Sequence, residues 1–143
     1  MKHLNFRLDS NSAPYIIAEA GINHNGDIKT ALKLIEAANK SGADAIKFQT
    51  YKSELFISPE SKYYNIFKNC ELSFEDIKLL VEKAKSLNIT IFSAVFDFFS
   101  ADLWQKLDTP MFKIASGDIT HHPLLAYVAK FNKPIILSTG GSS

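Results

Sequence analysis

The chain has 143 residues, 46% of them apolar, with 16 basic against 15 acidic side chains. That is enough apolar material for a full core, and the near-neutral balance excludes a basic footprint for nucleic acid or an anionic membrane surface. No run approaches the roughly 20 apolar residues of a membrane helix. The opening MKHLNFRLDSNS lacks the apolar run of a secretory signal. The single cysteine, Cys70, has no partner for a disulfide or a metal pair, so a cytoplasmic protein with a bland, partly buried thiol is expected.

Taken in chain order, YIIAEA (15–20) reads as a strand closed by Gly21 and the loop INHNGD. Residues 28–40 place Ile28, Ala31, Leu32, Ile35 and Ala38 on one helical stripe, with Asp27 as N-cap and Gly42 past the end. DAIKFQT is the second strand. The stretch 51–72 is long, polar and aromatic, and Pro59 with its serines predicts loop with at most a short helix. Ser73 and Asp76 form a capping-box pattern that opens a helix over 74–87. Then come the strand ITIFSAVF, a helix near 100–107, the strand MFKIAS, a helix near 123–130 and the strand PIILST.

This alternation of strands and helices predicts an α/β protein with a parallel sheet. A doubly wound sheet and a (β/α)8 barrel both fit. The first strand is not followed by GxGxxG, which weakens the dinucleotide-binding version. A barrel takes about 250 residues, so this length holds five of eight β/α units, and STGGSS stands where a sixth would begin.

Ligands of such folds bind at the C-terminal ends of strands. Those ends carry Glu19; Lys47 and Gln49; Ser93 and Ala94, with Asp97 beyond; Lys113, Ser116 and Asp118; and Ser138 and Thr139, followed by Gly140 and Gly141. Period two sends Ile46 and Phe48 to the helices and Lys47 and Gln49 to the lumen, and it separates Lys113 from Phe112 and Ile114 in the same way. Because a buried unpaired charge is costly, each lysine should meet an anion: Glu19, or a phosphate or carboxylate of a ligand. A structural Lys–Glu pair and a Schiff-base lysine are the alternatives for these residues. Asn23 and His24, in the loop after the first strand, are candidates to contact a substrate, and His24 could equally brace that loop. His121 and His122 sit at a helix start and His3 near the terminus, and none of these builds a metal site.

IIAEAGINHNGD, GADAIKFQTY, ELSFED, FKIASGD and KPIILSTGG, in this order and at these spacings, resemble the sialic acid synthase family, which comprises N-acetylneuraminate, legionaminate and pseudaminate synthases. The resemblance runs from about residue 14 to the end, leaving 1–13 as an N-terminal extension. It implies a (β/α)8 barrel that condenses phosphoenolpyruvate with an open-chain N-acetylated sugar to a nine-carbon 2-keto acid and phosphate. In that scheme water adds at C2 of phosphoenolpyruvate and phosphate departs by C–O cleavage. The resemblance also implies a Mn2+ or Mg2+ ion that polarises the aldehyde. Lys47, Gln49, Lys113, Ser116 and Ser138 match the family's phosphoenolpyruvate pocket, Glu19 its strand-one glutamate beside the reacting centre, and Asp118, with Asn23 and His24, the sugar side. GINHNG is closer to the neuraminate and legionaminate branch.

Two departures stand out. Relatives often carry S-T-P-F-D after the third strand, where this chain has Ser93-Ala94-Val95-Phe96-Asp97, so a hydroxyl is missing at Ala94. The family's metal-binding histidines, its last three strands and its C-terminal antifreeze-like domain, which reaches into the partner of a homodimer, lie beyond Ser143. A truncated, non-catalytic product that retains anion binding is therefore the alternative to an enzyme, and the isolated chain is expected to self-associate through open strand edges.

Overall fold

The computed structural model describes residues 13–142; residues 1–12, which include His3 and nearly all of the expected N-terminal extension, and residue 143 lie outside the described residues. The elements run β1 (Ile17–Gly21), α1 (Ile28–Lys40), β2 (Ala45–Thr50), α2 (Ser53–Phe56), α3 (Tyr64–Cys70), α4 (Phe74–Ser86), β3 (Thr90–Val95), α5 (Phe98–Lys106), β4 (Phe112–Ile114), a 3-10 turn (Ser116–Asp118), α6 (His122–Ala129) and β5 (Ile135–Leu137).

All five strands are parallel and pair in sequence order, β1-β2-β3-β4-β5. A doubly wound sheet has a point where the strand order reverses. Among the described residues the order never reverses, and they form a sector of a (β/α)8 barrel with five of its eight strands.

Local chemistry sets most of the boundaries. The Asp27 carboxylate accepts from the N–H groups of Lys29 (3.1 Å) and Thr30 (3.0 Å), so α1 starts where its first orphan donors are satisfied. Both halves of the Ser73/Asp76 capping box are formed at the head of α4. α5 begins at Phe98, two residues earlier than its periodicity suggests, because Asp97 caps it through the Ser100 N–H at 2.7 Å.

The stretch 51–72 departs from the sequence expectation. It holds two short helices, α2 and α3, rather than loop with at most one. Helices of this length do not stand alone in water. Tertiary contacts hold them: Tyr51 stacks on Phe56 with ring centroids 4.8 Å apart, Phe56 meets Phe67 at 5.0 Å and Phe96 at 4.9 Å, and the Tyr51 hydroxyl donates to the Phe67 carbonyl at 3.0 Å. The α3 end docks on the loop after β1 at Gly26, whose φ is +78° and where a Cβ would fall 1.9 Å from the Asn69 carbonyl oxygen; only glycine fits there.

The core has two parts. On the helix side, Ile46, Phe48, Ile91, Val95, Phe112 and Ile114 pack with Ala31, Ile35 and Ala38 of α1 and Ile77, Leu80 and Ala84 of α4. On the lumen side, Ala45, Phe92 and Met111 pack with Ile17 and Ile136. Period two sorted these faces correctly, since Phe48, Phe112 and Ile114 do face the helices. The lumen cluster forms an apolar floor, and the polar strand residues lie further toward the C-terminal ends of the strands.

Candidate functional site at the strand ends

In register, Glu19 stands opposite Lys47, Gln49 opposite Ala94, Ala94 opposite Lys113, and Lys113 opposite Ile136. Paired residues of a parallel sheet share a face, so the expected candidates of β1, β2 and β4 line one lumen wall. Lys47 and Glu19 form an ion pair, in which the Lys47 side chain is 12% exposed and that of Glu19 51%.

Lys113 differs from Lys47. Its ammonium donates to the Ile114 carbonyl, and no carboxylate lies within ion-pair distance of it among the described residues. Burial, and then the neighbouring Lys47 charge, pull Lys113 below the usual lysine range, against the pull of Glu19 and Asp118. Asp118 is pushed up by burial, with His121 and Lys113 opposing. The two lysines thus hold more positive charge than Glu19 alone offsets.

The ends of β4 and β5 converge beyond this wall. The Ser138 N–H donates to Ile114 at 3.1 Å, the same carbonyl that Lys113 uses. A Cβ at Gly140 would lie 3.5 Å from Ser116 Oγ. Ser116, Gly117, Ile119, Thr120, Gly140 and Gly141 line an open cleft of about 510 Å³. Its serine, threonine and glycine lining carries hydroxyls and little side-chain bulk, which leaves room for a small anion.

His24 is set apart from this wall. It is 1% exposed, its Nδ1 accepts the Gly26 N–H at 3.1 Å, and its ring centroid is 6.0 Å from that of Phe48. That contact braces the loop. Nε2 has no hydrogen-bond partner among the described residues, and burial lowers the imidazole below its usual range. Asn23 is exposed in the same loop, with its N–H on the Ala20 carbonyl at 2.9 Å. Ser93 faces the helices: its hydroxyl is 2.8 Å from Thr50 Oγ1, which in turn accepts from Trp104 Nε1 at 2.9 Å.

Asp97, placed by the sequence just beyond the third strand, and Glu71, which the sequence did not mark, hold the surroundings of the site. Asp97 accepts the Lys52 N–H at 2.8 Å, tying the exit of β2 to the start of α5. Glu71 accepts from the Ser53 N–H (2.9 Å), the Ser53 hydroxyl (2.7 Å) and the ammonium of Lys52 (2.9 Å), with Lys68 at 3.4 Å. Burial would raise Glu71, but the Ser53 donors and Lys52 outweigh it and hold the carboxyl at about 2. The partners of Glu71 on α2 lie 18 residues away, so no local pattern marked it. Among the described residues, no three His, Cys, Asp or Glu side chains are grouped as a metal site, and no helix is long and apolar enough to cross a membrane.

Fold and strand-end residues together define a β/α-barrel protein of the kind that builds its site at the C-terminal face. The chain belongs to the NeuB family, whose profile matches residues 34–143. It is 52% identical to an uncharacterized protein of Methanocaldococcus jannaschii over 128 residues, covering 90% of this chain and 38% of that protein. It is 45% identical to the N,N'-diacetyllegionaminic acid synthase of Campylobacter jejuni, covering 87% of this chain and 42% of the synthase. The crystal structure of the N-acetylneuraminic acid synthetase of Leptospira borgpetersenii in complex with citrate superposes with a TM-score of 0.90 at 37% identity, covering 93% of this chain and 47% of that one. The chain therefore spans about two fifths to half the length of these relatives.

Proposed function

We propose that residues 14–143 are the N-terminal part of a synthase barrel that condenses phosphoenolpyruvate with an N-acetylated amino sugar. The products are a nine-carbon 2-keto acid of the sialic or legionaminic type and phosphate. The observation that carries this reading is the lumen wall of Glu19, Lys47, Gln49 and Lys113, with one ammonium neutralised and the other free of any carboxylate contact among the described residues. A dianionic phosphate with an attached carboxylate fits that charge balance. Family membership and the named synthases among the relatives supply the reaction class.

In this reading Lys47 and Lys113 bind the anionic groups, and Gln49, Ser116 and Ser138 donate hydrogen bonds around them. Glu19 orients the ligand or moves a proton at the reacting centre. Asp118 and Asn23 face the sugar, and His24 contributes by bracing the loop that carries Asn23. A divalent ion belongs to the complete enzyme in this reading. The described residues offer no ligand set for it, and Glu19 is already engaged by Lys47, so no step performed by this chain is routed through a metal. The remaining strands, the antifreeze-like domain, the homodimer and the cytoplasmic setting belong to the same proposal.

The lowered pKa of Lys113 supports a second reading, since burial beside another cation is how Schiff-base lysines are activated. One experiment separates the two. The complete gene product is given phosphoenolpyruvate labelled with 18O in the bridging C–O–P position, together with N-acetylated hexosamines. The synthase reading expects the label in inorganic phosphate and keto acid in the product. A parallel incubation supplied with pyruvate in place of phosphoenolpyruvate, in which borohydride traps pyruvate on Lys113, together with no phosphate release from phosphoenolpyruvate in the first, would replace it with the aldolase reading.

A further inference from the structure

Gly21 closes β1 where the β1–β2 register slips. Glu19 pairs with Lys47, yet Gly21, two residues on, pairs with Phe48, one residue on. Bulges beside functional sites re-aim side chains. Gly21 has φ +53°, a conformation that a residue with a Cβ adopts at a cost. The place a Cβ would occupy is also taken: it would stand 3.1 Å from Glu19 Oε1 and 3.6 Å from Gln49 Nε2. The carboxylate and the Gln49 amide thus both border the Cβ position of Gly21, with Lys47 on the carboxylate's other oxygen.

We propose that Gly21 is a positioning residue, whose missing side chain is the room that the Glu19 carboxylate occupies beside Lys47. This rests on the function proposed above and assigns a task to a residue outside its binding set. A methyl group at position 21 would stand 3.1 Å from Glu19 Oε1, so the carboxylate must give by a few tenths of an ångström and its seat beside Lys47 changes. Both ammonium groups remain, so the anion still binds, while the group beside the reacting centre is misplaced. The expected signature is a fall in kcat with KM for phosphoenolpyruvate unchanged or lower, which a general loss of fold does not produce.

The test compares Gly21→Ala with Gly42→Ala in the complete gene product. Gly42 has φ +81° and nothing within 4 Å of its Cβ position, so it reports backbone strain alone. Turnover should fall about 3–10-fold in Gly21→Ala and stay at the wild-type level in Gly42→Ala. A crystal structure of Gly21→Ala should show the Glu19 carboxylate shifted from its wild-type position. Should Gly21→Ala fail to fold, Gly21→Asn carries the same Cβ with a residue that tolerates positive φ, and the same outcomes apply. A carboxylate that keeps its wild-type position, or equal turnover in the two glycine variants, overturns the proposal. If the wild-type protein makes no keto acid, the synthase reading fails, and the carboxylate position still decides the role of Gly21.

Discussion

Replacing Lys113 by methionine separates function from fold. The Lys113 side chain is half-buried in β4 between Ala94 and Ile136, and its ammonium has a carbonyl but no carboxylate contact among the described residues. Burial lowers its pKa, so the unfolded chain binds that proton more tightly than the folded one. The resulting stability cost is full below the lowered folded value and fades as pH rises from that value to the ordinary 10.5. Methionine keeps the stem and removes the charge, so Lys113→Met should leave stability unchanged or raise it by up to about 1 kcal/mol. Anion binding should suffer, because one charge-assisted hydrogen bond is worth about 1.5–3 kcal/mol, or roughly 10–150-fold in Kd. Calorimetric titration with phosphoenolpyruvate and a urea melt of the same preparation read both quantities. Unchanged affinity, or a loss of more than about 2 kcal/mol in stability, would refute the view that Lys113 is held at a cost for a ligand.

Three further outcomes are expected. Glu19→Gln removes the counter-ion of Lys47, so inorganic phosphate should bind a few-fold tighter, about 1 kcal/mol given the half-exposed carboxylate, while turnover falls. Glu71→Gln should destabilise the protein by about 1–2 kcal/mol at pH 7; because the folded carboxyl sits at about 2 against an ordinary 4.5, the gap to wild type in urea melts should close as pH falls from about 4.5 to about 2. Ala94→Ser restores a hydroxyl between Gln49 and Lys113 and should tighten phosphoenolpyruvate binding about ten-fold by calorimetry, and no gain would place the phosphate away from β3.

The faces of Lys47 and Lys113 were legible because side-chain alternation is a property of a single strand. The Asp27 cap and the Ser73/Asp76 box were legible for the same reason, since each is closed within three residues. The helical content of 51–72 was not legible. Pro59 and the serines describe the linker between α2 and α3, whereas the helices depend on the rings of Tyr51, Phe56, Phe67 and Phe96 meeting from separate segments. His24 shows the same limit: its sequence position allowed either a substrate contact or a brace, and only the packing around it showed the brace to Gly26.

By itself, the sequence determined that this protein is an alternating β/α chain with two lysines turned toward the lumen, because strand period, helix stripe and caps are short-range physics. Only the tertiary structure decided the rest. It placed Glu19 on Lys47 while leaving Lys113 to a carbonyl, gave Glu71 its donors on α2, and slipped the register at Gly21. Each of these depends on which strand lies beside which and at what offset, and pairing across a sheet joins residues far apart in the chain.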